Sequence, residues 1–264
     1  MPLKDNSGWL PVSVFRLGLL ALLFAWVSLP KAGIQASLIP VWVGISWLIY
    51  LTRVEVARTK RQVWLAQYLK NKSFWQQRLQ LGLVGQVRQL LWALFLSLFL
   101  LLQLLIAEAW LWWLLVFSLP LMLLVEALML RIFSTPVQPL YLMVLVKRAS
   151  ILLTSSLLVG LTLLVRLQVS QPWLIGLSWN EALVLQLQQQ GEAGLLPVLL
   201  RLSQTLDITW QWLLQNMLGN HNTSGWLAVL AWGGVFVLQA AFCVAWAQLL
   251  AAAHFFKGGK VKAD

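Results

Sequence analysis

The chain has 264 residues, 60% of them hydrophobic and 10% charged, with a formal net charge of +11. That is too little polar surface to clothe a water-soluble globule of this size, so composition points to an all-α, polytopic transmembrane helical bundle of about six spans forming one integral membrane domain. The positive excess does not point to nucleic acid: eight of the 19 Lys and Arg fall between Arg53 and Arg88, and most others flank apolar runs, as topology signals and contacts to anionic lipids do.

After a polar start with Lys4 and Asp5, the first predicted span covers residues 11–29 and carries Arg16 near its inner end, where its head can snorkel to the headgroups. A cleaved signal peptide is the other reading of this segment, with Ala32 and Ala36 as small residues after the apolar run. The second span, 37–52, follows so closely that a retained hairpin is favoured. Residues 53–88 hold eight basic residues against Glu55 alone, which places them on the cytoplasmic side. Apolar residues recur there at helical spacing, Trp64 with Tyr68 and then Trp75, Leu79 and Leu83, and Ser73 with Gln76 forms a capping box. The expectation is two basic amphipathic helices on the inner face, either a lipid-anchoring surface or a docking surface for a cytoplasmic protein.

The 42 residues from Gln89 to Leu130 contain only Glu108 and Glu126 as ionisable groups. At 1.5 Å per residue they would make a rod of about 63 Å, roughly twice the hydrocarbon core of a bilayer, so they must fold back once. The break belongs at Ala107-Glu108-Ala109, followed by the interfacial cluster Trp110, Trp112 and Trp113, which gives spans 89–107 and 110–130. Arg131, Lys147 and Arg148 bracket an inner loop with Pro136 and Pro139, and Tyr141 to Val146 is either an interfacial segment or an early start of the fifth span, 149–169. In that span Ser156 and Gly160 have the spacing of a close-packing face, and Arg166 lies near the outer end.

Residues 170–224 form the sizeable outer segment. Ser178 with Glu181 resembles a capping box opening a helix that Gly191 can end, and a second helix starts near Pro197 and stops at Gly219-Asn220. Leu199, Leu202, Leu206, Trp210, Leu213 and Met217 make its apolar face, so both helices should lie on the outer membrane face or dip between spans. The last span, 225–254, carries Gly233, Ala240 and Ala247 a heptad apart, with Gly234 and Ala241 one step round, and Gln239 and Gln248 are placed to bond across that face. Lys257, Lys260 and Lys262 then put the C-terminus, like the N-terminus, in the cytoplasm, and compact loops suit a bacterial inner membrane.

Ionisable groups at membrane depth are the natural functional candidates, because burying one without a partner costs several kcal/mol. Depth sorts them into two pairs, Arg16 with Glu126 toward the inner boundary and Glu108 with Arg166 toward the outer. Catalytic signals are poor: His221 and His254 lack nearby Cys or carboxylate, and neither a serine elbow nor a phosphate loop appears, so no cofactor or metal is expected. Asn222-Thr223-Ser224 matches a glycosylation sequon, and Cys243 stands alone within an apolar run.

The Trp content of 17, the small-residue faces and the paucity of polar groups favour a non-catalytic subunit or scaffold among other membrane protein subunits. The layout also resembles, over the whole chain at the level of topology, that of the type-2 ABC exporter permeases, with six spans, an inner amphipathic segment between spans two and three, and outer helices between spans five and six. The resemblance implies a permease whose inner segment docks an ATPase and whose outer helices re-enter the bilayer. A membrane enzyme acting on lipid is the third reading, since distant residues can assemble a site.

Overall fold

The computed structural model describes residues 9–68, 82–168, 173–187, 194–219 and 225–256, which are helical with short connections and contain no strand. In chain order the helices are α1 (Trp9–Val27), α2 (Lys31–Tyr68), α3 (Leu83–Leu105), α4 (Ala109–Phe133), α5 (Pro139–Gln168), α6 (Trp179–Leu187), α7 (Leu195–Gly219) and α8 (Gly225–Ala251), closed by a 3-10 turn over Ala252–Phe256. The Ser73–Gln76 capping box, Gly191, His221, the Asn222-Thr223-Ser224 triplet and the lysines at 257, 260 and 262 lie outside the described residues.

Among the described residues five helical stretches, rather than six, are long and apolar enough to cross a membrane: Lys31–Gln62, Leu83–Leu105, Ala109–Phe133, Tyr141–Arg166 and Trp232–Phe255. The expected first span is a shorter apolar helix, Val12–Val27. The helix that contains it, α1, has 19 residues and at 1.5 Å per residue extends about 28 Å, close to the roughly 30 Å of a hydrocarbon core.

One further boundary differs from expectation, and one open alternative is decided. The second span and the first basic helix are one rod of 38 residues, α2. Between Gly44 and Tyr68 there is neither Gly nor Pro, and the Arg, Lys, Glu and Gln of this stretch are good helix formers, so nothing stops the helix at the charged boundary. Likewise Tyr141 to Val146 is the early part of α5, which Pro139 opens at a first-turn position where its missing N–H has no partner to lose. The predicted break at Glu108 is present: α3 ends at Leu105, and α4 starts at Ala109 with Glu108 as its N-cap.

Helices α2 with α3 and α4 with α5 pack as hairpins, and α8 packs against α5, α3, α2 and α7. The basic ends of the helices lie together, as Arg53 of α2 bonds Gln89 of α3 and Gln248 of α8 there. From Ala245 to Ala253 every residue of α8 and its terminal turn is buried, Trp246 among them. One core joins α8 to Leu23 and Trp26 of α1, Ile45 and Ile49 of α2, Leu100 and Leu104 of α3, Leu115 and Met122 of α4, and Leu158 of α5.

Polar side chains tie this core between helices. Ser46 and Ser97 hydroxyls meet at 2.6 Å across α2 and α3, the Trp42 indole N–H donates to the Leu94 carbonyl at 3.0 Å, and the Trp246 N–H donates to the Ser118 hydroxyl at 2.8 Å. In an apolar surrounding such bonds contribute about 0.6–2 kcal/mol each.

The small-residue faces are used differently from the expectation. Ser156 and Gly160 point away from the bundle, and a Cβ on Gly160 would meet nothing within 4 Å. The inward face of α5 is instead Ser150, Thr154, Leu158 and Thr162, four residues apart along one stripe. On α8, Gly233 is exposed, whereas a Cβ on Gly234 would lie 2.2 Å from the Trp210 ring of α7.

Candidate functional site

At the basic end, Arg16 of α1 and Glu126 of α4 form a buried ion pair, Nη2 to Oε1 2.5 Å, with both side chains at most 2% exposed. The helix bundle positions them: α1 lies against α4 and the end of α8, so the guanidinium reaches across both. Its Nε donates at 3.0 Å to the carbonyl of Leu250, in the last turn of α8. His254 on the terminal 3-10 turn places Nε2 3.0 Å from the same Glu126 oxygen and 3.3 Å from Arg16 Nη2. Arginine only donates, and His254 Nε2 lies within hydrogen-bond distance of both members of the pair, so the three side chains form one buried cluster. Arg16 Nη1 and Glu126 Oε2 remain buried without a hydrogen-bond partner.

A second ionic contact at this end joins Glu55 of α2 to Lys147 of α5, and the lysine ammonium also sits 4.4 Å from the centre of the Phe255 ring. The same end carries an open cleft of about 690 Å³ between α2, α3, α5 and α8. Its base is polar: Arg53 Nε donates to Gln89 Oε1 at 2.9 Å, Arg53 Nη1 approaches Gln248 Oε1 at 3.5 Å, and the Thr52 hydroxyl donates to the Gln248 carbonyl at 3.3 Å. Lys60, Arg61, Arg88 and Arg148 complete its lining, and no carboxylate lines it among the described residues.

At the opposite end the predicted pairing is corrected. Arg166 pairs with Asp207 of α7 at 3.3 Å, and Gln211 Nε2 holds the other Asp207 oxygen at 3.1 Å. Glu108 is exposed and accepts from the Trp110 indole N–H at 2.9 Å. Helix α7 docks with Ser203, Asp207 and Ile208 turned toward the bundle while Leu202 and Leu206 point out, so the nearer partner for Arg166 is on α7. These groups, with Gln103 and Gln239, line a cleft of about 420 Å³.

The two glutamines of α8 also part company. Gln248 bonds across to α2 as expected, but Gln239 donates along its own helix to the Cys243 sulfur at 3.9 Å. Below α6, the Ser178–Glu181 capping box forms as predicted: the Ser178 N–H and hydroxyl donate to Glu181 Oε2 at 2.7 and 2.8 Å, and the Glu181 N–H returns a bond to Ser178 Oγ at 3.3 Å. The backbone and hydroxyl donors of Ser178 hold the Glu181 carboxyl below its ordinary range.

His254, Asp207 and the Glu55–Lys147 pair were not anticipated. Depth would have found His254, since the end of the last span lies at the level of Arg16 and Glu126. Among the described residues no three His, Cys, Asp or Glu side chains stand together as a metal site.

Among the described residues the geometry defines a helical bundle with five helices long and apolar enough to cross a membrane. No family model, curated protein or solved structure matches it.

Proposed function

We propose that the chain is an integral protein of a bacterial inner membrane, with both termini in the cytoplasm, that acts as a non-catalytic subunit or scaffold of a larger membrane assembly. The observation that carries this reading is the outward stripe of Ser156 and Gly160 on α5, where a neighbouring helix can approach the backbone closely and no side chain among the described residues comes within 4 Å of a Cβ at Gly160. The buried charges support it, because Arg16 and Glu126 are engaged with each other and with α8, which suits holding helices together.

Purification of the tagged chain from its native membrane in mild detergent tests the proposal. Wild type should recover other membrane proteins in fixed ratio, and Gly160→Leu should recover the chain alone with its own thermal stability unchanged. A wild-type chain that purifies as a lone monomer, or a variant that retains every partner, contradicts the proposal.

A permease subunit is the second reading, favoured by the length of α2. Its 38 residues extend about 57 Å, well beyond a hydrocarbon core, so its Arg58, Lys60 and Arg61 turns are available to a cytoplasmic ATPase. Recovery of an ATPase in the same experiment, lost on replacing those three residues with Gln, selects this reading.

A further inference from the structure

We propose that the basic cleft between α2, α3, α5 and α8 is a binding site for a phosphate-bearing anion, supplied in a membrane by the headgroup of an anionic phospholipid. The inference rests on the membrane reading given above, and it concerns a different surface from the α5 stripe. Five cationic side chains, Arg53, Lys60, Arg61, Arg88 and Arg148, converge on one concavity with no carboxylate among its described lining residues. By contrast Lys147, the neighbour of Arg148 in sequence, has Glu55 as its counter-ion. Arg53 and Arg88 line the same cleft, so an anion between them offsets like charges as well as making new bonds.

The base of the cleft is built rather than incidental. Gln89 and Gln248 are 9% and 8% exposed and both bond Arg53, which fixes its guanidinium at the bottom while Lys60, Arg61, Arg88 and Arg148 stand exposed at the mouth. Arginine forks suit phosphate oxygens, which accept two parallel N–H bonds. Ile151, Leu152 and Val244 supply an apolar wall, and Leu152 is 54% exposed, so an acyl chain can leave the cleft past Leu152 while its headgroup stays among the cations. About 690 Å³ exceeds the needs of one phosphate, and with five positive charges to match, a headgroup bearing two phosphates should bind better than one bearing a single phosphate.

The test uses the full chain in nanodiscs of phosphatidylcholine doped with diphosphatidylglycerol, phosphatidylglycerol or no anionic lipid, with bound lipid counted by native mass spectrometry. Arg53→Gln removes the base and Arg88→Gln with Arg148→Gln removes the mouth, while Arg58→Gln with Arg131→Gln removes as much charge from residues that do not line the cleft. The cleft variants should weaken retention of diphosphatidylglycerol by at least about tenfold and the control pair by far less. Titration of inorganic phosphate into the undoped nanodiscs identifies the source: saturable binding lost in the cleft variants assigns the site to soluble phosphate, and its absence alongside lipid retention assigns it to the headgroup. Retention unchanged in the cleft variants, or reduced equally in the control pair, overturns the proposal. Flotation with vesicles separates the two failures: a chain that does not float overturns the membrane reading and this site together, and one that floats without cleft-dependent retention overturns the site alone.

Discussion

The edge of the Trp210 indole occupies the space in which a Cβ on Gly234 would stand, with ring carbons 2.2 Å from that point. The indole moves as a rigid unit, so a methyl group there has to swing the whole ring and with it the seam between α7 and α8. Gly234→Ala should lower stability in detergent by about 1–3 kcal/mol, the usual cost of overpacking. Gly233→Ala should be tolerated, since its Cβ meets nothing within 4 Å. Denaturation midpoints of the two variants check the contrast, and near-ultraviolet circular dichroism should change for the first alone.

Trp246 is fully buried and its N–H is bonded to the Ser118 hydroxyl, whereas Trp113 is 75% exposed. Replacing Trp246 with Phe removes that bond between α4 and α8 and leaves a gap at the ring, while the Ser118 hydroxyl keeps its bond to the Leu115 carbonyl at 2.6 Å. A loss of about 1–3 kcal/mol is expected, against little change for Trp113→Phe. Thermal unfolding of each variant in the same detergent measures the difference.

The Glu181 carboxyl is held below its ordinary range by donors that exist only when the first turn of α6 is folded. A depressed folded value means that the cap contributes fully above the ordinary Glu range and loses its contribution as pH falls through the lowered folded value. Carboxyl carbon NMR should place the Glu181 titration below that of a Glu in a peptide. Ser178→Ala should bring it only part of the way back, because the Ser178 backbone N–H, the larger influence, is retained.

Some of this architecture is legible in the sequence because it follows from local rules. Two bilayer thicknesses of apolar residues cannot stay straight, and Glu108 marks where they turn; Ser178 and Glu181 have the spacing of a reciprocal cap, and it forms. Depth along the spans is sufficient to match Arg16 with Glu126. What the spacing leaves open is the choice of face. The spacing of Ser156 and Gly160 says that a helix can come close, but only the docking of α4 and α8 decides that Thr154 and Leu158 face inward instead. In the same way Arg166 meets Asp207 because α7 turns Ser203 and Asp207 to the bundle together with Leu199 and Trp210, a rotation that helical periodicity leaves open.

The most direct test of the central claim, that a buried charge pair fastens α1 to α4 at the end of α8, is a double-mutant cycle with Arg16→Met and Glu126→Met, followed by unfolding in detergent. Each single replacement strands a charge in an apolar site and should cost about 3–5 kcal/mol, while the double replacement, which removes both charges and keeps apolar volume, should recover most of that loss. A double variant destabilised by the full sum of the two single effects would show that the two side chains are not coupled and would contradict the account.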